Sequence, residues 1–139
     1  MQTQQQTVED LRPRALGYRM PAEWERHQGT WIAWPHNQED WPGRFEAIPW
    51  VYADIVRHIS RAEEVNIIVR NAQERDMVRS LLNRCHVSLK RVKFHLWATD
   101  RGWTRDSGPI FIRRENRPDR VAITNWRFNA CRICLATSL

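Results

Sequence analysis

The chain has 139 residues, a formal net charge of +6 and three cysteines. This length allows one modest domain with its own core and excludes a large multidomain architecture. No apolar run approaches the length of a membrane span, which excludes a membrane-spanning protein, and three cysteines without a signal peptide predict a cytoplasmic setting.

The first third of the chain predicts a mobile terminus, a strand and a helix. Residues 1–17 are polar, rich in glutamine and without hydrophobic periodicity, which is typical of a mobile end. Residues 30–34 are β-branched and aromatic and stop at Pro35, so they predict a short strand. Between 47 and 61 the apolar residues recur at helical spacing, and Pro49 suits the first turn.

The middle of the chain predicts two strands with a helix between them. The β-branched run 65–69 predicts a strand that is buried on both faces. Asn71 is a suitable cap, with Glu74 three residues later, for a helix that runs to Asn83. Residues 92–96 alternate between apolar and polar, which predicts a further strand.

The last elements predict a hairpin. Residues 109–113 and 121–126 are two short apolar runs joined by the polar turn 115–120. The order of all elements predicts an α/β fold with one ββαβ-like unit and the start of another.

The segment WTRDSGP at 103–109 has the composition of a pocket for a planar cation. A guanidinium can lie against the Trp103 indole and receive two hydrogen bonds from the Asp106 carboxylate. A plain structural turn is the alternative, because Asp, Ser, Gly and Pro each favour turns for their own backbone reasons. Taken alone, the segment fits the turn better.

The rest of the chain favours the pocket interpretation over the turn, because WTRDSGP is one of five sequence blocks that follow one another in a fixed order. They are MPAEWE at 20–25, TWIAWPHN at 30–37, WPG at 41–43, WTRDSGP at 103–109 and WRFNA at 126–130. Together they resemble the agmatine deiminases, within the wider Porphyromonas-type (bacterial) peptidylarginine deiminase family, from about residue 18 to residue 130. The resemblance implies a pentein fold, an α/β propeller of five ββαβ modules, of which this chain is expected to form roughly the first one to two.

The resemblance also implies an activity. Such enzymes hydrolyse the guanidinium of agmatine to a ureido group with release of ammonia, which gives N-carbamoylputrescine in putrescine biosynthesis. It implies that Asp106 clamps the substrate and that Trp103 walls its alkyl chain, and no cofactor is expected. The family's cysteine and histidine segments are not recognised here. We therefore expect a truncated amino-terminal portion that is inactive alone, with no catalytic residue assigned.

The resemblance divides the chain into a polar terminus at 1–17, a deiminase-like part at 18–130 and a divergent tail at 131–139. We interpret the tail as out of frame or foreign to the fold, and a genuine short paralogue is the alternative. Cys131 and Cys134 form a C-x-x-C pair, but a second pair of ligands is missing. The histidines show no metal-ligand spacing, so no metal is predicted. Cys85 is expected to be a buried free thiol.

Other functions stay open beside the agmatine deiminase. Peptidyl arginine is a second possible substrate, and a non-catalytic interaction module is a different class of function. A nucleic-acid-binding fragment is the third alternative, since Arg84, Lys90, Arg91 and Lys93 could form a basic stripe. Most other arginines alternate with acidic residues, as on solvated faces. The expected partner is therefore a small guanidine, with no nucleic acid or membrane, and the oligomeric state is not predicted.

Three residues at the end of the first predicted strand have two interpretations. Trp34, Pro35 and His36 could line the mouth of the site. Packing of a Trp-Pro corner is favoured, because large aromatic side chains mostly serve cores. Phe128 and Asn129 are interpreted as scaffold near the pocket.

Overall fold

The computed structural model describes residues 12–115, 117 and 120–124. These residues belong to two compact units. The larger unit is residues 27–106, and the smaller unit combines the residues up to 26 with those from 107 onward. Residues 1–11 of the predicted mobile terminus at 1–17, the scaffold residues Phe128 and Asn129, and the tail with Cys131 and Cys134 lie outside the described residues.

The larger unit is a parallel sheet with two main helices. Its elements are β1 Gly29–Ala33, α1 Ile48–Ile59, β2 Glu64–Val69, α2 Ala72–Arg84, β3 Val92–Leu96 and the single turn α3 Thr104–Ser107. The strand order is β1-β2-β3, with both neighbours of β2 parallel to it. The predicted strands and main helices of this unit are confirmed, with ends that differ by one or two residues.

Burial explains why β2 lies in the middle of the sheet. Alternate residues of a strand point to opposite faces, and Val65, Ile67 and Val69 are all buried on one of them. There they join Val56 of α1 and Leu82 of α2 in one apolar core. Both helices therefore cover the same face of the sheet, as parallel strands with right-handed crossovers require.

The opposite face of the sheet carries an aromatic cluster that the sequence did not predict. The Trp31 and Trp97 rings stack at 5.5 Å with an interplanar angle of 9°, although they come from the two outer strands. His95 lies beside both rings. Its Nε2 is 2.9 Å from Oδ1 of the buried Asn66 on β2. Side chains from both sides of the central strand thus meet on this face, where the Trp31 and Trp97 side chains stay 44% and 53% exposed.

The predicted Asn71 cap of α2 is confirmed, and the Glu74 side chain makes further contacts with Arg70. The Asn71 side chain accepts a hydrogen bond from the Glu74 backbone N–H at 2.9 Å. The buried Glu74 carboxylate accepts one from the Arg70 backbone N–H at 2.7 Å and pairs with the Arg70 guanidinium at 2.9 Å. Glu74 therefore ties the end of β2 to the first turn of α2.

The smaller unit contains the predicted hairpin. Strand β4 Ile110–Arg113 pairs antiparallel with β5 Val121–Thr124. Arg19 adds an isolated bridge to Arg113 with two backbone hydrogen bonds of 2.9 Å. The hairpin is confirmed as far as Thr124, and its predicted extension to Trp126 lies outside the described residues.

The MPAEWE block of this unit is held by an ion pair. Arg19 donates two hydrogen bonds to the Glu25 carboxylate, at 2.6 and 2.9 Å. The Ala22 backbone N–H adds a third at 3.0 Å. These bonds, led by that of Arg19, lower the pKa of Glu25 from its ordinary value of 4.5 to about 2.

We expect the stabilising effect of this pair to disappear in acid. Because the pKa of Glu25 is lower in the folded chain, its contribution is complete above pH 4.5 and is lost as the pH falls towards 2. Carboxyl NMR titration should place the midpoint of Glu25 near 2, and Arg19→Gln should raise that midpoint. A wild-type midpoint near 4.5 would contradict the ion pair.

Candidate functional site

The candidate site lies at one edge of the larger unit's sheet. Parallel strands end at the same edge, and ligands of such sheets commonly bind there. At this edge β1 continues into Trp34, whose N–H donates to the Ile68 carbonyl at 2.9 Å. Strand β3 continues into Trp97, whose N–H donates to the Val69 carbonyl at 2.9 Å. Two segments therefore leave the sheet on either side of β2.

We call residues 100–106, which follow β3, the Trp103 segment. Residues Thr104–Ser107 form one helical turn, closed by a bond of 3.3 Å from the Asp106 N–H to the Trp103 carbonyl. The turn alternative at 106–109 does not describe the backbone of Asp106, which lies in this helical turn. Pro109 disfavours helical backbone in Gly108 before it, which explains why the helix ends at Ser107.

The two predicted substrate-binding residues are both accessible. The Trp103 side chain is half exposed, at 47%. Asp106 is exposed, and within the described part of the chain no ion pair engages its carboxylate. The Trp103 indole immediately precedes this helical turn, and the unpaired Asp106 carboxylate lies within it, three residues later in the chain.

We call residues 36–41, which follow β1, the 36–41 turn, and this turn supports Trp103. The Trp41 ring lies 5.6 Å from the Trp103 ring. Trp41 also meets the edge of Tyr52, at 6.3 Å, which connects it to α1. Burial, and secondly the charge of Asp40, raises the pKa of Tyr52. Trp103 thus packs on Trp41, which in turn contacts Tyr52 of the core helix α1.

Polar contacts join the same two segments. Arg101 Nη1 donates to Asp40 Oδ1 at 2.7 Å, and Nη2 lies 3.4 Å from Glu39 Oε2. The hydrogen bond to Asp40 raises the pKa of Arg101. His36 Nε2 lies 3.1 Å from the Asp100 carbonyl. Sequence reasoning missed Arg101 and Asp40, because no spacing rule pairs residues 61 positions apart.

The other candidate residues have structural roles. Trp34 is buried in the core, as the packing interpretation expected. His36 contacts backbone carbonyls with both ring nitrogens, since Nδ1 lies 3.1 Å from the Trp34 carbonyl. Cys85 is a free thiol that is partly buried against the core.

The residues of the basic stripe interact with different neighbours. Arg84 lies over the Trp50 ring at 5.0 Å. Arg91 donates to the Arg61 carbonyl at 2.6 Å, and Lys93 pairs with Glu64 at 2.6 Å.

A cleft of about 260 Å³ lies beside α1 and α2. Apolar side chains form most of its wall, with Arg70 and Glu74 among the polar ones. Since these two charges already pair with each other, and since Trp103 and Asp106 do not line the cleft, we do not assign the guanidine site to it.

Across residues 12–115, 117 and 120–124, no cluster of three or more His, Cys, Asp or Glu side chains is arranged to hold a metal ion. In that same part of the chain, every helix is too short or too polar to cross a bilayer.

A model of the Porphyromonas-type peptidyl-arginine deiminase family matches residues 19–134. The chain belongs to this family. The agmatine deiminase of Pseudomonas aeruginosa strain LESB58 is 32% identical to this family member over 118 residues, which are 85% of the chain and 30% of the relative. The agmatine deiminase of Ectopseudomonas mendocina strain ymp shows the same identity and coverage. The chain therefore spans about 30% of the length of these curated relatives.

Solved structures of the family show the fold. The agmatine deiminase of C. jejuni superposes with a TM-score of 0.64 at 24% identity, over 81% of this chain and 32% of that one. A Cys→Ser variant of the C. jejuni enzyme, solved with substrate bound, gives a TM-score of 0.63 at 24% identity, over 81% of this chain and 31% of the other. The expected pentein-type α/β architecture of this deiminase-family chain is thereby confirmed.

Proposed function

We propose that this chain supplies the guanidinium clamp of an agmatine deiminase, a hydrolase that converts the guanidinium of agmatine to a ureido group and releases ammonia. One observation carries the proposal. The exposed Asp106 carboxylate has no ion-pair partner in the described structure, and the half-exposed Trp103 immediately precedes the helical turn that contains Asp106. The names of the relatives support agmatine as the substrate.

The reaction requires that the guanidinium be held in a fixed orientation, and the clamp would provide this. A guanidinium resists nucleophilic attack because its positive charge is delocalised over three nitrogens. Asp106 would accept two parallel N–H bonds from it, and Trp103 would lie against its plane or its alkyl chain. Held in this way, the central carbon is oriented for addition of a thiolate, and cleavage of a C–N bond releases ammonia. Water then adds to the same carbon, and cleavage of the C–S bond releases the thiolate and gives the ureido group. The proposal gives this chain the binding and orientation of the substrate.

The origin of the nucleophile follows from the family resemblance. The cysteine and the histidine of such enzymes belong to segments that are not recognised in this sequence. Cys85 does not replace the cysteine, because it packs against the core beside α2. In this proposal the enzyme is cytoplasmic and acts in putrescine biosynthesis. Its catalytic cysteine and histidine belong to the remaining parts of the pentein fold.

Peptidyl arginine is the second candidate substrate, since the family's description names it. The clamp binds a guanidinium and does not distinguish a free amine from a peptide at the far end of the side chain. The two substrates can be separated only by assay.

The test is a chimera in which residues 19–130 of this chain replace the matching part of the P. aeruginosa agmatine deiminase. We expect the chimera to release ammonia from agmatine and the 139-residue chain alone to release none, because it lacks the nucleophile. Ammonia and ureido product are measured for agmatine and for an arginyl peptide. Turnover by the chain alone that Cys85→Ser abolishes would contradict the proposal, as would a folded chimera with no activity on agmatine.

A further inference from the structure

The Trp103 segment is attached to the 36–41 turn by three kinds of contact. Arg101 pairs with Asp40, the Trp103 ring packs on Trp41, and the Asp100 carbonyl faces His36. The two segments follow different strands, so no local backbone rule sets their separation. These contacts hold the Trp103 segment against the 36–41 turn.

The ion pair is unusual because one partner is buried. The Asp40 side chain is only 8% exposed, whereas that of Arg101 is 44% exposed. Asp40 Oδ1 accepts the bond from Arg101, and Oδ2 is buried without a hydrogen-bond partner among the described residues. Loss of Arg101 would leave a buried carboxylate without a countercharge, which costs far more than loss of a surface pair.

The second contact of Arg101 contributes much less. The Glu39 side chain is exposed, and the distance between Nη2 and Oε2 is 3.4 Å. Exposed pairs of this kind stabilise proteins by about 0 to 1 kcal/mol. Asp40 is therefore the partner that matters.

A displaced Asp40 would move the indole that follows it. Trp41 is the next residue and packs between Tyr52 on one side and Trp103 on the other. If Asp40 turns outward to reach water, Trp41 loses its place and Trp103 loses its support. Asp106 is expected to move with Trp103, because Trp103 immediately precedes the helical turn that contains Asp106 and its carbonyl accepts the Asp106 N–H.

We propose that the Arg101–Asp40 pair positions the guanidinium clamp by fixing the Trp103 indole, and with it the Asp106 carboxylate, relative to the end of the sheet. Arg101 touches neither the substrate nor the reacting atoms in this proposal and is a positioning residue. Its effect on turnover rests on the proposed function, but its effect on the Trp103 segment does not.

The first experiment tests the structural part in the 139-residue chain. The tryptophans are labelled with 5-fluorotryptophan, and Trp103→Phe assigns the ¹⁹F NMR signal of Trp103. We expect Arg101→Gln to move that signal towards the signal of Trp24, a side chain that is 89% exposed. Arg101→Lys, which keeps the charge, should retain most of the wild-type position.

Two further variants complete the first experiment. Arg75→Gln removes an exposed ion pair with Asp76 and should leave the Trp103 signal in place. The double variant Asp40→Asn/Arg101→Gln removes the buried charge together with its partner, so it should restore the signal at least in part, even if Arg101→Gln is poorly folded. A Trp103 signal unchanged by Arg101→Gln, or a double variant no better than the single one, would overturn the proposal.

The second experiment measures turnover in the chimera. A clamp that is displaced by about 1 Å loses on the order of 10²-fold in rate. We therefore expect Arg101→Gln to lower kcat/KM for agmatine by about 10- to 100-fold, with a rise in KM, and Arg101→Lys to recover most of it. Equal kcat/KM for Arg101→Gln and wild type would overturn the positioning role. An inactive chimera with Arg101 intact would instead contradict the proposed function and leave the NMR result standing.

Discussion

Asp106→Asn is expected to lower kcat/KM for agmatine by two to four orders of magnitude in the chimera. The substitution keeps the shape of the side chain and removes the charge that pairs with the guanidinium. Loss of one partner of a desolvated charge pair costs about 3 to 5 kcal/mol. At about 1.4 kcal/mol for each factor of ten, this gives the expected range. Steady-state kinetics on the purified chimera measure it.

The matched control for Asp106→Asn is Ser107→Ala, the adjacent residue of the same block. It removes a hydroxyl and keeps the Asp106 charge, so we expect an effect far smaller than that of Asp106→Asn. Circular dichroism of both variants verifies that the fold is unchanged. An Asp106→Asn chimera with nearly full activity would mean that this segment has a structural role and does not bind the guanidinium.

Leu82→Ala is expected to lower the free energy of unfolding by about 2 to 5 kcal/mol, the usual cost of emptying a buried leucine site. Leu82 is 0% exposed and packs in the core that α1, α2 and β2 share. Leucine and alanine are both good helix formers, so lost packing, and not helix propensity, dominates the change. Urea unfolding followed by circular dichroism gives the difference.

Met77→Ala on the same helix is the control for Leu82→Ala. Met77 is 59% exposed, so its truncation removes little buried surface and should cost less than about 1 kcal/mol. Similar losses for both variants would mean that the core does not lie where this structure places it.

Local patterns were sufficient for most elements of the larger unit. The β-branched run of β2 predicts a buried strand, because only such a run can fill both faces of a parallel sheet. Asn71 predicts the start of α2, because its side chain accepts a backbone N–H that the helix cannot pair. These effects act over three or four residues and can therefore be read along the chain.

The local range of these preferences also explains why the sequence did not predict the helical turn at Asp106. Asp, Ser, Gly and Pro favour turns as single residues, yet the backbone of Thr104–Ser107 forms a helical turn. Composition could not decide between the two, because both conformations suit these residue types. The sequence did predict that the segment with Trp103 and Asp106 follows the end of a strand, and in the structure it follows β3.

The sequence by itself determined the family, the order of strands and helices, and the choice of Asp106 and Trp103 as candidate binding residues. Each of these follows from neighbouring residues or from motifs in a fixed order. Only the tertiary structure decided that Asp40 meets Arg101 and that Trp41 supports Trp103. The physical reason is that the parallel sheet brings the ends of β1 and β3 to one edge, and no periodicity in the chain encodes which side chains meet there.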